Sequence, residues 1–482
     1  MSFFTREEVA SVLGGRWLSQ PKTDVADPSG AVIDSRSIPS GAVFFALKGD
    51  RTDGHRFAGQ ALRDGASMVI ADDEQGVDTE AGVLLVPDSK LALAKLAGAW
   101  RDRLRESGCS VIGVTGTNGK TTTVRLIHAV LSAKWEGTRP PKSFNNDIGL
   151  PLTLLNTPES SRFVVCELGI NAPGEMKRLV EIARPEIALI TSIGRGHLAA
   201  LGSIAGVARE KAGILRGPEL SGVDRSLALV TADSPDLSAL LPGAASGASE
   251  LRRIGNGPGG ERVDIRAEEP EGTEFDFDGE WFRVPLVGAH NAVNAAFAVS
   301  IGRWFGFDAE AIRSGLKSVQ APSMRLARTA LSVEAGKPEV TVINDAYNAN
   351  PESTRAAIGL LRRDTPGPGG RRIAVLGDML ELGPDSPDLH RELGAEITKA
   401  GGIDLVVPVG RQMAFVAERI ARDWSAERVV PYIDLDDRAA REIAAMVHPG
   451  DVVLLKASRS MGLERVAEAL EARTAVPRAG GG

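Results

Sequence analysis

The chain reads as an α/β protein of three domains: a small α/β domain, a central domain built on a mostly parallel sheet, and a doubly wound C-terminal domain. Three observations predict this. Short, wholly apolar runs such as Val111-Ile112-Gly113-Val114, Ile187-Ala188-Leu189-Ile190 and Val452-Val453-Leu454-Leu455 suit strands covered on both faces, the parallel-sheet case. Helix-length segments separate these runs, giving the alternation of βαβ units. A length of 482 residues is too great for one ordinary core and divides into three of usual size.

In the first domain, residues 1–107, Ala42-Val43-Phe44-Phe45-Ala46-Leu47 and Met68-Val69-Ile70 predict strands between Gly and Asp turns. A helix is expected around 57–63, and apolar residues at helical spacing predict another over 91–105 that leads out of the domain. The central domain, 108–322, has strands at 111–114, 163–166 and 187–190. Its Gly-, Ser- and Asp-rich stretch 218–279 suggests short strands and loops at the domain's edge. Residues 323–482 carry Val340-Thr341-Val342-Ile343, Ile373-Ala374-Val375-Leu376, Leu405-Val406-Val407 and the 452–455 run, a Rossmann-like series. Arg478 to Gly482 look like a frayed tail.

Composition narrows the class. Apolar residues make up 43% and charged residues 25%, which fits a globular chain and excludes a disordered one. The net charge of −7, with no long basic run, argues against a nucleic-acid partner. Cys109 and Cys166 are too few for a disulfide scaffold or a zinc site and suit a reducing cytosol. With no apolar run of 18 residues and no apolar stretch near Arg6, Glu7 and Glu8, the expectation is a cytoplasmic protein without membrane insertion, and a monomer by default.

The strongest chemical signal is Gly116-Thr117-Asn118-Gly119-Lys120-Thr121-Thr122, between a buried strand and a helix with apolar Val124, Leu126, Ile127, Val130 and Leu131. N–H groups at a helix start have no intrahelical partner and lie at the positive dipole end, so they cradle phosphate oxygens. Lys120 would then reach β/γ-phosphates and Thr121 would ligate Mg²⁺. The general G-x-x-x-x-G-K-[ST] pattern would place its first glycine at 114, which is Val, so this is a shorter P-loop. It marks the central domain as P-loop ATPase-like, binding ATP or GTP. A P-loop also calls for a carboxylate at a neighbouring strand end, and Glu167 directly follows Phe163-Val164-Val165-Cys166. His197 likewise follows a buried strand. By residue type alone, Lys211 is a solvated surface lysine.

These residues resemble the Mur ligase family, the ATP-dependent amide ligases that build the peptide of bacterial cell-wall precursors. The resemblance covers nearly the whole chain. It implies a P-loop at 116–122 and a second magnesium site at Glu167, His197 and Lys211, with Lys211 carbamylated and so turned into an anionic ligand. Asn291 and Asn294, in His290-Asn291-Ala292-Val293-Asn294, resemble the adenine-binding motif, and Arg325 and Asp345 resemble residues that close over ATP. Asp34-Ser35-Arg36, Gly41 to Gly49 and Asp53-Gly54-His55 are similar to the family's UDP-sugar domain, which implicates Ser35 and Arg36. Asn145-Asn146-Asp147 are similar to its substrate loop. Asn348 and Asn350, in Asp345-Ala346-Tyr347-Asn348-Ala349-Asn350-Pro351, and Leu376-Gly377-Asp378-Met379-Leu380-Glu381-Leu382-Gly383 with His390, are similar to the branch that adds a dipeptide.

The resemblance implies that ATP phosphorylates the terminal carboxylate of UDP-N-acetylmuramoyl-tripeptide. The amine of D-alanyl-D-alanine then attacks the acyl phosphate, two Mg²⁺ ions assist, and the domains close to exclude water. Two stretches depart from that branch. Glu210-Lys211-Ala212-Gly213-Ile214 is closer to the folate-polyglutamate ligases, and Ala457 stands where a glycine is usual. The first departure makes a folate-polyglutamate-type ligase one alternative; a non-catalytic, nucleotide-dependent precursor sensor that keeps the P-loop but lacks turnover is the other.

Overall fold

The computed structural model describes residues 3–20, 26–49, 52–77, 82–320 and 324–474. The expected boundary at Pro322 and the tail at 478–482 lie outside them. No helix among the described residues is long and apolar enough to cross a membrane.

The first sheet runs in the order Arg16–Ser19, Val83–Leu85, Met68–Ala71, Val43–Phe45, Ala31–Val32, antiparallel only at its first pair. The helix Ser89–Glu106 starts where the Asp88 carboxylate accepts the Leu91 N–H at 2.8 Å. It does not simply lead out of the first domain. Leu93, Leu96, Trp100 and Leu104 join one continuous apolar core that runs from Phe45 and Met68 to Val111, Leu150, Leu179 and Ala188. The Trp100 indole donates to the Thr157 carbonyl at 3.0 Å, and the buried Arg101 guanidinium donates to the carbonyls of Glu181 and Ile182. The junction at 107–108 therefore separates two sheets but not two cores.

The central sheet is parallel throughout, ordered Glu250–Ile254, Leu227–Thr231, Ile187–Ile190, Ser110–Thr115, Phe163–Glu167, Gly137–Thr138. The stretch 218–279 is more regular than its composition suggests. Leu227–Thr231 is buried at every position and enters the sheet interior. Gly272–Phe277 and Glu280–Val284 alternate in burial, as strands with one covered face do, and with Asp264–Glu269 they form a separate antiparallel sheet. Their Phe275, Phe277, Phe282 and Val284 share a core with the helix Ala289–Trp304.

The C-terminal sheet runs Ala327–Leu331, Val340–Asp345, Val452–Lys456, Arg372–Gly377, Leu405–Val409, with only the first strand antiparallel. Separate apolar clusters cover its two faces, as double winding requires. One face carries the helices Pro351–Arg363, Ser386–Ala400 and Met413–Ile420, and the other Asp437–Ala445 and Glu464–Thr474. The first of these clusters also takes in Leu198 and Val207 of the central domain. The order brings the ends of Val340–Asp345 and Val452–Lys456 side by side, with Asp345 opposite Lys456.

Candidate active site

The strands Ser110–Thr115, Phe163–Glu167 and Ile187–Ile190 are neighbours, so their carboxyl ends open on one edge of the central sheet. The chain leaves the first through Gly116 (φ 153°) and Gly119 (φ 83°) and enters the helix Lys120–Ser132, whose start has no side-chain cap. Both glycines are required by close approach as well as by φ. A Cβ on Gly116 would lie 1.9 Å from Thr191 Oγ1, and one on Gly119 would lie 2.5 Å from Asn294 Oδ1. The loop is braced from the next strand end: the Asn118 N–H donates to Ser192 Oγ at 2.8 Å and the Gly194 N–H to Thr117 Oγ1 at 3.0 Å. Gly116→Ala is expected to lower the melting temperature and abolish nucleotide binding. Gly14→Ala, also at positive φ but with nothing within 4 Å of the added carbon, should leave binding intact. Calorimetry with ATP checks both.

Glu167 is 1% exposed and ends its strand facing the loop. Thr121 Oγ1 donates to its Oε2 at 2.8 Å, and the Asn145 amide donates to its Oε1 at 2.9 Å. No three His, Cys, Asp or Glu side chains among the described residues gather into a metal cage. A carboxylate beside a hydroxyl still suits Mg²⁺, which takes one or two carboxylates and completes its shell with water and phosphate oxygens.

Lys211 is not a surface lysine. It is completely buried on the helix Ile204–Ala212, and its Nζ donates to the Gly116 carbonyl at 2.9 Å. Lys120 Nζ donates to the same carbonyl at 2.8 Å and to that of Thr117 at 3.3 Å. Burial first, and the Lys120 charge second, push the Lys211 amine well below the ordinary lysine range. Burial also lowers Lys120, against the opposing pull of Glu167.

The C-terminal domain closes the cleft. A cavity of about 450 Å³ is lined by Thr117 to Lys120, Thr122, Asn145, Glu167, His197, Asn291 and Asn294 from the central domain, and by Arg325, Asp345, Asn348 and Lys456 from the C-terminal one. Asn350, which caps the helix Pro351–Arg363, exchanges two amide hydrogen bonds with Asn118 of the P-loop, at 2.8 and 3.3 Å. Glu352 accepts from the Arg195 N–H at 3.2 Å. Arg325 lies 4.1 Å over the Tyr347 ring, and Lys456 pairs with Asp345 at 2.6 Å while donating to the Asn348 carbonyl at 2.7 Å. His197 Nδ1 lies 2.6 Å from Glu381 Oε2, and this contact holds the Glu381 carboxyl below its ordinary value. Among the described residues, positive φ outside glycine occurs at Arg184, His197, Asp278, Met324, Leu326 and Glu381, and four of these lie where the two domains meet.

The other expected residues lie elsewhere. Arg36 is 87% exposed on the first domain, next to Ser35, and is bonded to Asp34, whose carboxyl it holds at about 2. Asn146, just ahead of the helix Gly149–Leu155, accepts from the Gly149 N–H at 2.9 Å, and Asp147 pairs with Lys90 of the first domain at 2.7 Å. Lys456, Glu352 and Glu381 lie in stretches that resemble the family's motifs, but the sequence assigns none of them a role in the site. Lys456 ends a buried strand just as Glu167 does and could have been found by the same rule, whereas Glu352 and Glu381 acquire their roles only through contacts across the domain interface. The departure at Ala457 is accommodated by a glycine: a Cβ on Gly377 would lie 2.6 Å from the Ala457 methyl.

A phosphate loop facing carboxylates and cations across a closing interdomain cleft defines a nucleotide-dependent group-transfer enzyme. The comparisons agree. Family models match at 29–101 (Mur ligase family, catalytic domain), 114–302 (Mur ligase middle domain) and 328–459 (Mur ligase, glutamate ligase domain). The Bacillus subtilis UDP-N-acetylmuramoyl-tripeptide--D-alanyl-D-alanine ligase is 37% identical over 471 residues, 97% of this chain and 98% of that one. The crystal structure of MurF from Acinetobacter baumannii superposes with a TM-score of 0.83 at 28% identity, covering 97% and 99% of the two chains. That of Thermotoga maritima MurF in complex with ADP gives 0.74 at 29%, covering 92% and 97%. Mycobacterium tuberculosis folylpolyglutamate synthase, at 20% identity, a TM-score of 0.59 and coverage of 79% and 93%, shares the fold alone. The chain belongs to the Mur ligase family and is an ATP-dependent ligase that forms a C–N bond.

Proposed function

We propose that this enzyme joins D-alanyl-D-alanine to UDP-N-acetylmuramoyl-tripeptide as a cytoplasmic monomer in peptidoglycan precursor synthesis. The full-length likeness to ligases named for that reaction carries the reading. Residues 1–107, with Ser35 and Arg36, grip the UDP-sugar; 108–322 hold ATP and, through Asn145, Asn146 and Asp147, the rest of that substrate; 323–482 present the dipeptide near Asn348 and Asn350.

The loop 116–122 receives the triphosphate through the N–H groups at the uncapped start of the helix Lys120–Ser132, with Lys120 turning from the Gly116 carbonyl to the β/γ-phosphates. Asn291 and Asn294 hold adenine, and Arg325 and Asp345 close over the nucleotide. Thr121 and Glu167 would hold one Mg²⁺, and Glu167, His197 and carbamylated Lys211 a second. Bound there, Mg²⁺ screens the repulsion between the triphosphate and the substrate carboxylate. The carboxylate oxygen attacks the γ-phosphorus and the bond to the β-phosphate oxygen breaks, releasing ADP. The dipeptide amine then attacks the acyl carbon, phosphate leaves and the amine loses its proton. Lys211 suits carbamylation because the amine form, favoured by burial, is the form that adds CO₂.

Phosphate release from ATP should require both the UDP-linked tripeptide and D-alanyl-D-alanine. Release driven by glutamate without the UDP substrate would instead identify a polyglutamate-type ligase, and binding without turnover would identify a sensor.

A further inference from the structure

The motif from Leu376 to Gly383 is not used by the chemistry described so far, yet it reaches the site. Glu381 places Oε2 2.6 Å from Nδ1 of His197, too close for an intervening water. Nδ1 is buried and has no other polar partner among the described residues, so the Glu381 carboxylate is the group that faces it. Both residues take left-handed backbone conformations, φ 59° at His197 and φ 63° at Glu381, which a residue with a Cβ rarely adopts. Such outliers persist where their surroundings over-determine them. Here the surroundings are specific. The Ala199 N–H donates to the Glu381 carbonyl at 3.0 Å, and a Cβ on Gly383 would lie 3.2 Å from Ala199 Cα. Leu198 and Val207, on either side of this contact, are buried in the C-terminal core beside Met379 and Leu382. The segment so gripped begins beside His197 and runs to Val207, on the helix that carries Lys211.

We infer that Glu381, supplied by the C-terminal domain, is a positioning residue that holds His197 by Nδ1 and leaves Nε2 as the ring nitrogen offered to the metal. A carboxylate on the far nitrogen of a metal-binding imidazole fixes its tautomer and orientation. Because the contact crosses the domain interface, the second metal position is complete only when the C-terminal domain is seated. The inference rests on the reading of His197 as a metal ligand.

The test reads the His197 tautomer directly. The full chain has six histidines; it is labelled with ¹⁵N-histidine, His197 is assigned with a His197→Gln variant, and ¹H–¹⁵N correlations are recorded near pH 8.5, about two units above the ordinary imidazole value. Wild type and Glu381→Gln should show the Nδ1–H tautomer, because the Gln carbonyl still accepts. Glu381→Ala should shift toward Nε2–H. In parallel, Mn²⁺ binding with a non-hydrolysable ATP analogue is followed by electron paramagnetic resonance, where Glu381→Ala should weaken the second site roughly 10-fold or more and Glu381→Gln less. An unchanged tautomer in Glu381→Ala, or tighter Mn²⁺ binding, would overturn the inference. Unchanged Mn²⁺ binding in His197→Gln would instead overturn the ligand reading, whatever the tautomer result.

Discussion

Lys120→Met should reduce ATP turnover roughly 100–1,000-fold, the scale seen when one preorganised charge-stabilising donor is removed from a reaction centre. The geometry explains why the loss should fall on chemistry and not on folding. Among the described residues Lys120 Nζ bonds only the carbonyls of Gly116 and Thr117, within its own loop, and the loop is braced independently through Ser192 and Gly194. The substitution also removes a cation that shares the Gly116 carbonyl with Lys211, so the Lys211 amine should regain part of its basicity. Steady-state kinetics and thermal melts on the same preparation check this. A variant with near-normal kcat, or one that no longer folds, would contradict the assignment of Lys120 to the phosphates.

Lys211→Met should be more stable than the parent and inactive. A completely buried amine with one carbonyl partner and no buried carboxylate paired to it is costly, while methionine fills a similar volume without a polar group. A gain of about 1–3 kcal/mol at neutral pH is the expected order. The sign of its pH dependence follows from the depressed amine. Between its folded value and the ordinary 10.5, the unfolded chain holds a proton that the folded chain lacks, so wild-type stability rises with pH across that interval. The advantage of Lys211→Met should therefore be largest at neutral pH and shrink toward pH 10. Urea titrations in CO₂-free buffer at several pH values measure it, and an advantage that grew with pH would refute the argument. On the activity side, Lys211→Ala should be inactive and partly rescued by a short carboxylic acid that restores the anionic ligand. Full activity in Lys211→Ala would eliminate the carbamate.

Several parts of this protein are legible in its sequence because the physics involved is local. Wholly apolar runs of four to six residues announce strands buried on both faces, and the order Gly116, Gly119, Lys120, Thr121 after such a run announces a phosphate loop, since backbone φ and the free N–H groups of a helix start are properties of consecutive residues. Glu167 is legible for the same reason: it is the first polar residue after a buried strand. The stretch 218–279 is harder to read, because the alternation of Gly272–Phe277 spans a single short strand set between Gly272 and Gly279.

Tertiary structure decides the rest. Lys211 is typical of a surface residue in composition and becomes completely buried only because its helix is packed under the P-loop. Asn118 and Asn350, 232 residues apart, meet as an amide pair, and His197 meets Glu381, because Leu198 and Val207 sit in a core that belongs to the other domain. No local propensity encodes such pairs. Sequence alone determines the P-loop and the strand-end carboxylate, whereas the complementary packing of two domain surfaces decides which side chains face them across the cleft.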